Sequence, residues 1–213
     1  MSDTYNIRLV RNESEINNAS KIITKMYAWR GYETNSSPPM ILDNPNQKTI
    51  VMDKNGEIVG TLTVRVDSNL YLEKNYGSVL EQFKTPERKA CEIIKLAINE
   101  NIKSRRATLG LYQMSFFFAI SQGVTDFLIE VNPRHTLFYK RTFNFYKLSE
   151  FTDHYVGAPA DLLHVETKNV PLKRMKHSAE EIDNEIVKIL PSKNYPVLSH
   201  YIEMFNSRVP EHV

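Results

Sequence analysis

Lys89-Ala90-Cys91-Glu92-Ile93-Ile94-Lys95-Leu96-Ala97-Ile98 is an apolar run with one acid set into it, and together with the elements after it this run decides the fold. A basic loop, Lys103-Ser104-Arg105-Arg106-Ala107-Thr108-Leu109-Gly110, opens a helical stretch rich in Phe. Val124 to Val131 then reads as a short strand. Asn132-Pro133-Arg134-His135-Thr136-Leu137-Phe138-Tyr139-Lys140-Arg141-Thr142-Phe143-Asn144-Phe145 closes the segment as a short helix. Strand, basic loop, helix, strand, helix is a βαβα unit, and such units build sheets with parallel pairing.

The flanks read as more sheet. Tyr5 to Val10 roughly alternates and predicts a first strand. Ser14 can cap the next helix, where Ile16, Ala19, Ile22, Ile23 and Met26 mark an apolar face. Residues 31–47, with Ser36-Ser37-Pro38-Pro39 and Asn44-Pro45-Asn46, predict a long loop of the kind that covers a site. Thr49–Asp53 and Glu57–Asp67 are β-rich runs joined at Asn55-Gly56, a hairpin signal. Asp67 to Tyr76 reads as a loop whose Leu70, Tyr71, Leu72 and Tyr76 either cover a greasy ligand or close the core. The β pattern resumes through Phe151 and at Asp161–Glu166. Residues 171–213, with Ser178 before a helical run and a break at Pro191, predict a C-terminal helical extension to a domain over 1–170.

A 213-residue chain that is 41% hydrophobic can bury a sizeable core, and a formal charge of +2 gives no overall case for nucleic acid. Cys91 is the chain's one cysteine, which suits a reducing cytoplasm. Met1-Ser2-Asp3-Thr4-Tyr5 lacks signal-peptide regions, and no apolar stretch approaches the length of a membrane span. The expectation is a soluble cytoplasmic protein without a transmembrane segment, peripheral membrane contact being left open.

Glu92 is the first candidate for chemistry. An acid in an apolar strand is costly to bury unless it is paired or used, and burial raises its pKa toward that of a general base. It could instead face solvent on an edge strand or pair with an Arg. Lys103, Arg105 and Arg106 precede a helix N-terminus, where a phosphate could sit, although a solvated basic loop reads the same way. Tyr139 is either a proton donor or a core aromatic with a satisfied hydroxyl. His135 could be a base or a phosphate contact, or be structural beside Arg134. Cys91, in a strand with no nearby His, reads as core, and no spacing of His and acids suggests a metal site.

Taken together these pieces resemble the GNAT acyltransferases. Phe138-Tyr139-Lys140-Arg141-Thr142-Phe143-Asn144-Phe145 looks like that superfamily's F-Y-x-K-x-G-F motif, with Asn144 in place of glycine. Within it the likeness is to the FeeM-type N-acyl amino acid synthases, relatives of acyl-homoserine-lactone synthases. It rests on four pieces in order over about residues 5–166. These are Gly60-Thr61-Leu62-Thr63 running into Asp67-Ser68; Cys91 to Ala97; Asn132-Pro133-Arg134-His135 with Phe138-Tyr139; and Tyr155-Val156-Gly157-Ala158-Pro159-Ala160-Asp161-Leu162-Leu163. Members that use acyl-CoA carry a loop R/Q-x-x-G-x-G/A. Here Arg105 to Gly110 has Thr108 at the first glycine position, where a side chain hinders approach to a pyrophosphate.

The resemblance implies an α/β (α+β) GNAT-like fold, a mixed central sheet flanked by helices. It implies transfer of a long fatty acyl chain from the phosphopantetheine thioester of acyl carrier protein, rather than from acyl-CoA, to the α-amine of an amino acid. No bound cofactor or metal is implied. Glu92 would be the base and Tyr139 the acid that protonates the departing thiolate, with backbone N–H groups of Lys95 and Leu96 as oxyanion donors. Lys103, Arg105, Arg106, Gly110, Arg134 and His135 would contact phosphopantetheine or the acidic carrier protein. Leu70, Tyr71, Phe116, Phe117 and Phe118 would line the acyl pocket. The alternatives are a CoA-dependent N-acetyltransferase of a small amine and a non-catalytic GNAT module that binds acyl chains or carrier protein.

Overall fold

The computed structural model describes residues 5–33, 39–66, 68–151 and 158–171, with backbone only for Arg106 and Phe151. The expected C-terminal extension, apart from its first residue, lies outside the described residues, as do Asp67 and Tyr155 to Gly157.

Among the described residues seven strands form one mixed sheet: β1 (Asn6–Leu9), β2 (Gln47–Lys54), β3 (Glu57–Arg65), β4 (Ala90–Ile98), β5 (Asp126–Val131), β6 (Tyr146–Phe151) and β7 (Ala160–Glu166). Their order is β1-β2-β3-β4-β5-β7-β6. β4 and β5 are the parallel pair, joined by the crossover helix α3 (Arg105–Ser121), and every other neighbour pair is antiparallel. A parallel pair needs such a crossover because a hairpin cannot reverse the chain twice. The sheet is mixed and flanked by helices, as expected.

Two layers of helix cover it. On one face Ile7, Ile50, Met52, Leu62, Ile93 and Phe127 pack against Leu111, Met114 and Phe116 of α3 and against Tyr139 and Phe143 of α4 (Thr136–Phe143). On the other, α1 (Glu13–Trp29) sets Ala19 against Val51 and Met26 against Ala97, and α2 (Glu73–Leu80) packs Tyr76 and Leu80 on Leu128 and Leu162.

Local chemistry explains the joints. Asn55 and Gly56 take φ of 55° and 86°, the positive pair a tight hairpin turn requires, and Gly56 N–H donates to Asp53 Oδ1 at 3.0 Å. Asn12, not Ser14, caps α1: its backbone is extended and its Oδ1 accepts from Glu15 N–H at 3.0 Å, whereas Ser14 already lies inside the helix. The sequence predicts loop throughout residues 67–76, but α2 starts at Glu73, with a non-helical break at Tyr76 (φ −129°, ψ 21°). Tertiary burial of Leu72, Tyr76 and Leu80 holds a helix that eight residues alone could not sustain. Asn144 ends α4 at φ 63°, the left-handed conformation that glycine or asparagine tolerates best, so it can stand at the motif's usual glycine.

Candidate active site

β4 and β5 pair only from Ala90–Asp126 to Ile93–Ile129; beyond that point they part. On its other edge β4 bulges: Thr61 faces Ala97 and Thr63 faces Ile94, so Leu62 opposes both Lys95 and Leu96. Lys95 takes φ 58° there, a left-handed conformation that costs about 1–2 kcal/mol in a non-glycine residue and is held by the surrounding sheet. A cavity of about 390 Å³ passes through the gap, from Tyr71, Leu72 and Glu92 on the α2 side to Thr108 and Tyr139 on the α3 and α4 side.

Glu92 is fully buried. Its Oε1 accepts from Tyr71 N–H at 2.9 Å and its Oε2 from Leu72 N–H at 3.2 Å. Arg65 Nε stands 3.5 Å from Oε1, while Arg65 also stacks on the Tyr71 ring at 4.3 Å and donates to Tyr71 Oη at 3.1 Å. Burial outweighs these partners and pushes the Glu92 carboxyl from an ordinary 4.5 up to about 7. Glu92 therefore does not face solvent on an edge strand: it is buried on a central strand, with Arg65 nearby.

Tyr139 is buried on the opposite wall, with its hydroxyl hydrogen-bonded to that of Tyr112. Burial raises its pKa to about 12, so it carries its proton at neutral pH. Lys95 also lines the cavity, and burial lowers its pKa to about 8. Cys91 is buried core, its thiol pushed well up by burial. Among the described residues no cluster of three or more His, Cys, Asp or Glu could hold a metal, and no helix is long and apolar enough to cross a membrane.

The other expected site residues divide. Tyr71, Lys95, Leu96 and His135 line the cavity with Glu92 and Tyr139. Arg134 is exposed at its rim, where its Nε donates to His135 Nε2 at 3.2 Å. Lys103 and Arg105 are exposed ahead of and at the start of α3, and the Arg106 side chain lies outside the described residues. Three expectations need correction. Phe116 and Phe117 are core and Phe118 packs against it, because α3 turns that face onto β5 and α4 rather than into the gap. Leu70 packs under α2 with Leu80 and Phe83 and borders a separate hollow near Lys84 and Arg88. Gly110 does not line the cavity and instead faces β1: a Cβ there would stand 2.2 Å from Ile7 Cδ1, so the glycine lets α3 approach β1.

The sequence reading missed Glu130, Tyr27 and Arg30 on the cavity wall. Glu130 had a signal, since it is an acid in an apolar strand just as Glu92 is. Tyr27 and Arg30 had none, because only the tertiary fold brings the end of α1 to this gap.

The model of the N-acyl amino acid synthase FeeM family matches residues 18–166. This chain belongs to that family. It is an acyltransferase of the GNAT fold. Among solved structures it resembles FeeM, an N-acyl amino acid synthase from uncultured soil microbes, with TM-score 0.73 and 20% identity, over 81% of this chain and 98% of that one. It also resembles the acyl-homoserine-lactone synthase LasI (TM-score 0.58, 12% identity, 78% and 91% covered). A third likeness is to BjaI, a CoA-dependent acyl-homoserine lactone synthase (TM-score 0.59, 10% identity, 80% and 84% covered). No curated protein matches the chain in sequence.

Proposed function

We propose that this synthase moves a long-chain acyl group from the thioester of acyl carrier protein to the α-amine of an amino acid. The observation that carries the reading is Glu92, buried on the cavity wall beside the gap between β4 and β5, with its carboxyl pushed up to about 7. A base of that strength can take a proton from an ammonium near neutral pH. The neutral amine then attacks the thioester carbon and a C–N bond forms. The N–H groups of Lys95 and Leu96, at the bulge beside the gap, are suited to hold the oxyanion. Collapse breaks the C–S bond, and the thiolate takes a proton from Tyr139. The proton the nitrogen sheds as it becomes an amide restores the balance.

Support for a carrier-protein donor comes from the start of α3. Ser104 Oγ already accepts from Ala107 N–H at 3.1 Å, and the Thr108 side chain occupies the cavity wall where CoA users have glycine. That leaves a reduced cradle for the pyrophosphate of CoA, whereas Lys103 and Arg105 are exposed to steer an acidic partner. CoA itself remains the second reading of the donor, favoured by the likeness to CoA-dependent BjaI. The soluble, cytoplasmic setting expected from the sequence belongs to this proposal.

The test offers the purified protein long-chain acyl carrier protein or long-chain acyl-CoA with pooled amino acids, and looks for N-acyl products by mass spectrometry. Product from the carrier-protein donor, lost in Glu92→Gln, is the expected result. Product from acyl-CoA alone would replace the donor. Product from neither would defeat the reading.

A further inference from the structure

β5 carries a second acid that the acyl-transfer mechanism leaves unused. Glu130 stands two residues beyond Leu128, the register partner of Glu92, so both acids belong to the sheet face that α2 covers. Both line the same cavity. Two residues along a strand span roughly 6–7 Å and adjacent strands lie about 4.8 Å apart, so the two acids bracket a space of the size of one small polar group. β4 and β5 part just beyond Ile93 and Ile129, which opens that space to the cavity.

One short segment holds both carboxylates. Tyr71 and Leu72 donate their N–H groups to Glu92, and Tyr76 Oη donates to Glu130 Oε1 at 2.8 Å. Tyr76 reaches it through the break in α2, while its ring stays buried against Leu128 and Leu162. An ammonium offers three N–H donors; one proton goes to Glu92, and the nitrogen must still be held while its lone pair turns toward the thioester carbon.

Resting on the acyl-transfer reading, we infer that Glu130, oriented by Tyr76, grips the acceptor's amine nitrogen opposite Glu92 and is the acceptor-binding residue of this enzyme. It takes part in no bond making. It accepts a hydrogen bond from the ammonium and then from the amine, and selects a cationic nitrogen over a neutral hydroxyl. Its charge also acts on Glu92, opposing Arg65, which holds Glu92 from β3.

The experiment compares the unsubstituted protein with Glu130→Gln and Tyr76→Phe, using long-chain acyl carrier protein and a pool of the common amino acids. Glu130→Gln should raise the apparent KM for the pool roughly tenfold or more and leave the donor KM within about twofold, the loss of one charge-assisted hydrogen bond. The acidic limb of kcat/KM should move to lower pH, because Glu92 loses a neighbouring negative charge. Tyr76→Phe keeps the buried ring and should raise the acceptor KM about three- to tenfold, which tests the inference even if Glu130→Gln does not fold. An unchanged acceptor KM and an unmoved limb in a folded variant overturn it. Absence of product from the unsubstituted protein overturns the acyl-transfer reading and this inference with it.

Discussion

Two carboxylates are buried near opposite ends of the β4–β5 pair, and they are treated in opposite ways. Asp126, at the start of β5, is surrounded by donors: Arg88 binds both its oxygens, His164 Nε2 lies 2.7 Å from Oδ1, and Thr125 Oγ1 donates to Oδ2 at 2.7 Å. Though burial raises its pKa, the bonds from His164, Arg88 and Thr125 prevail and hold it well below the usual carboxylate range. Glu92, where the strands part, receives two backbone N–H groups and a more distant Arg65, and burial prevails. A buried acid with a full set of hydrogen-bonding partners, one of them a guanidinium, is a fixed charge that ties strands together. An acid short of that set can exchange its proton. The same residue chemistry becomes structure at one end and, in the proposed reaction, a base at the other.

Breaking each end should therefore give different losses. Glu92→Gln should lower kcat by about 10²–10⁴ while the protein stays folded, measured as initial rate of N-acyl product beside circular dichroism. Asp126→Asn should do the reverse, with a stability loss of about 3–5 kcal/mol in urea and normal turnover by the folded fraction, because it leaves the Arg88 guanidinium without its counter-charge and disturbs the hydrogen bond to His164. If the two variants lost the same property, the contrast would fail.

pH sharpens the comparison because the two signs differ. Glu92 holds its proton more tightly folded than unfolded, so its contribution falls as pH rises from about 4.5 to about 7, by about 3 kcal/mol in all. Asp126 holds its proton less tightly when folded, so its contribution is present above its ordinary value of 3.8 and is lost as pH falls below it. Urea midpoints should decline between pH 5 and about 7 in the unsubstituted protein, and Glu92→Gln should flatten that decline. Activity should move the other way, rising through pH about 7 as Glu92 becomes a base.

Smaller effects test the frame that holds both ends. Gly110→Ala should cost about 1–3 kcal/mol, since its Cβ would press on Ile7 of β1, far from either carboxylate; thermal unfolding would show it. Asn144→Gly should shift stability by less than about 1 kcal/mol, because φ 63° suits either residue.

Much of this architecture is legible in the sequence. Asn55-Gly56 marks a hairpin because few residues accept two successive positive φ values. The apolar runs around β4 and β5, separated by a helix-length stretch, require a crossover and so a parallel pair. Glu92 stands out because an acid among isoleucines must be paired or used. The Phe116-Phe117-Phe118 run misleads, because periodicity shows that a face is apolar but not whether it meets a core or a ligand. Gly110 misleads for a similar reason: a glycine at a helix start suits an anion or a close neighbour equally, and only the position of Ile7 chooses.

The local rules of backbone and burial, then, determined from the sequence the strands, the crossover, the hairpin and the suspicion attached to Glu92. What the tertiary structure alone decided is where β4 stops pairing with β5. That break places Glu92, Glu130 and Tyr139 around one space, although steps of 38 and 9 residues along the chain separate successive members of the set. No local pattern encodes such a meeting, because it depends on sheet register, on the bulge at Lys95 and on the packing of α2 and α4 against opposite faces.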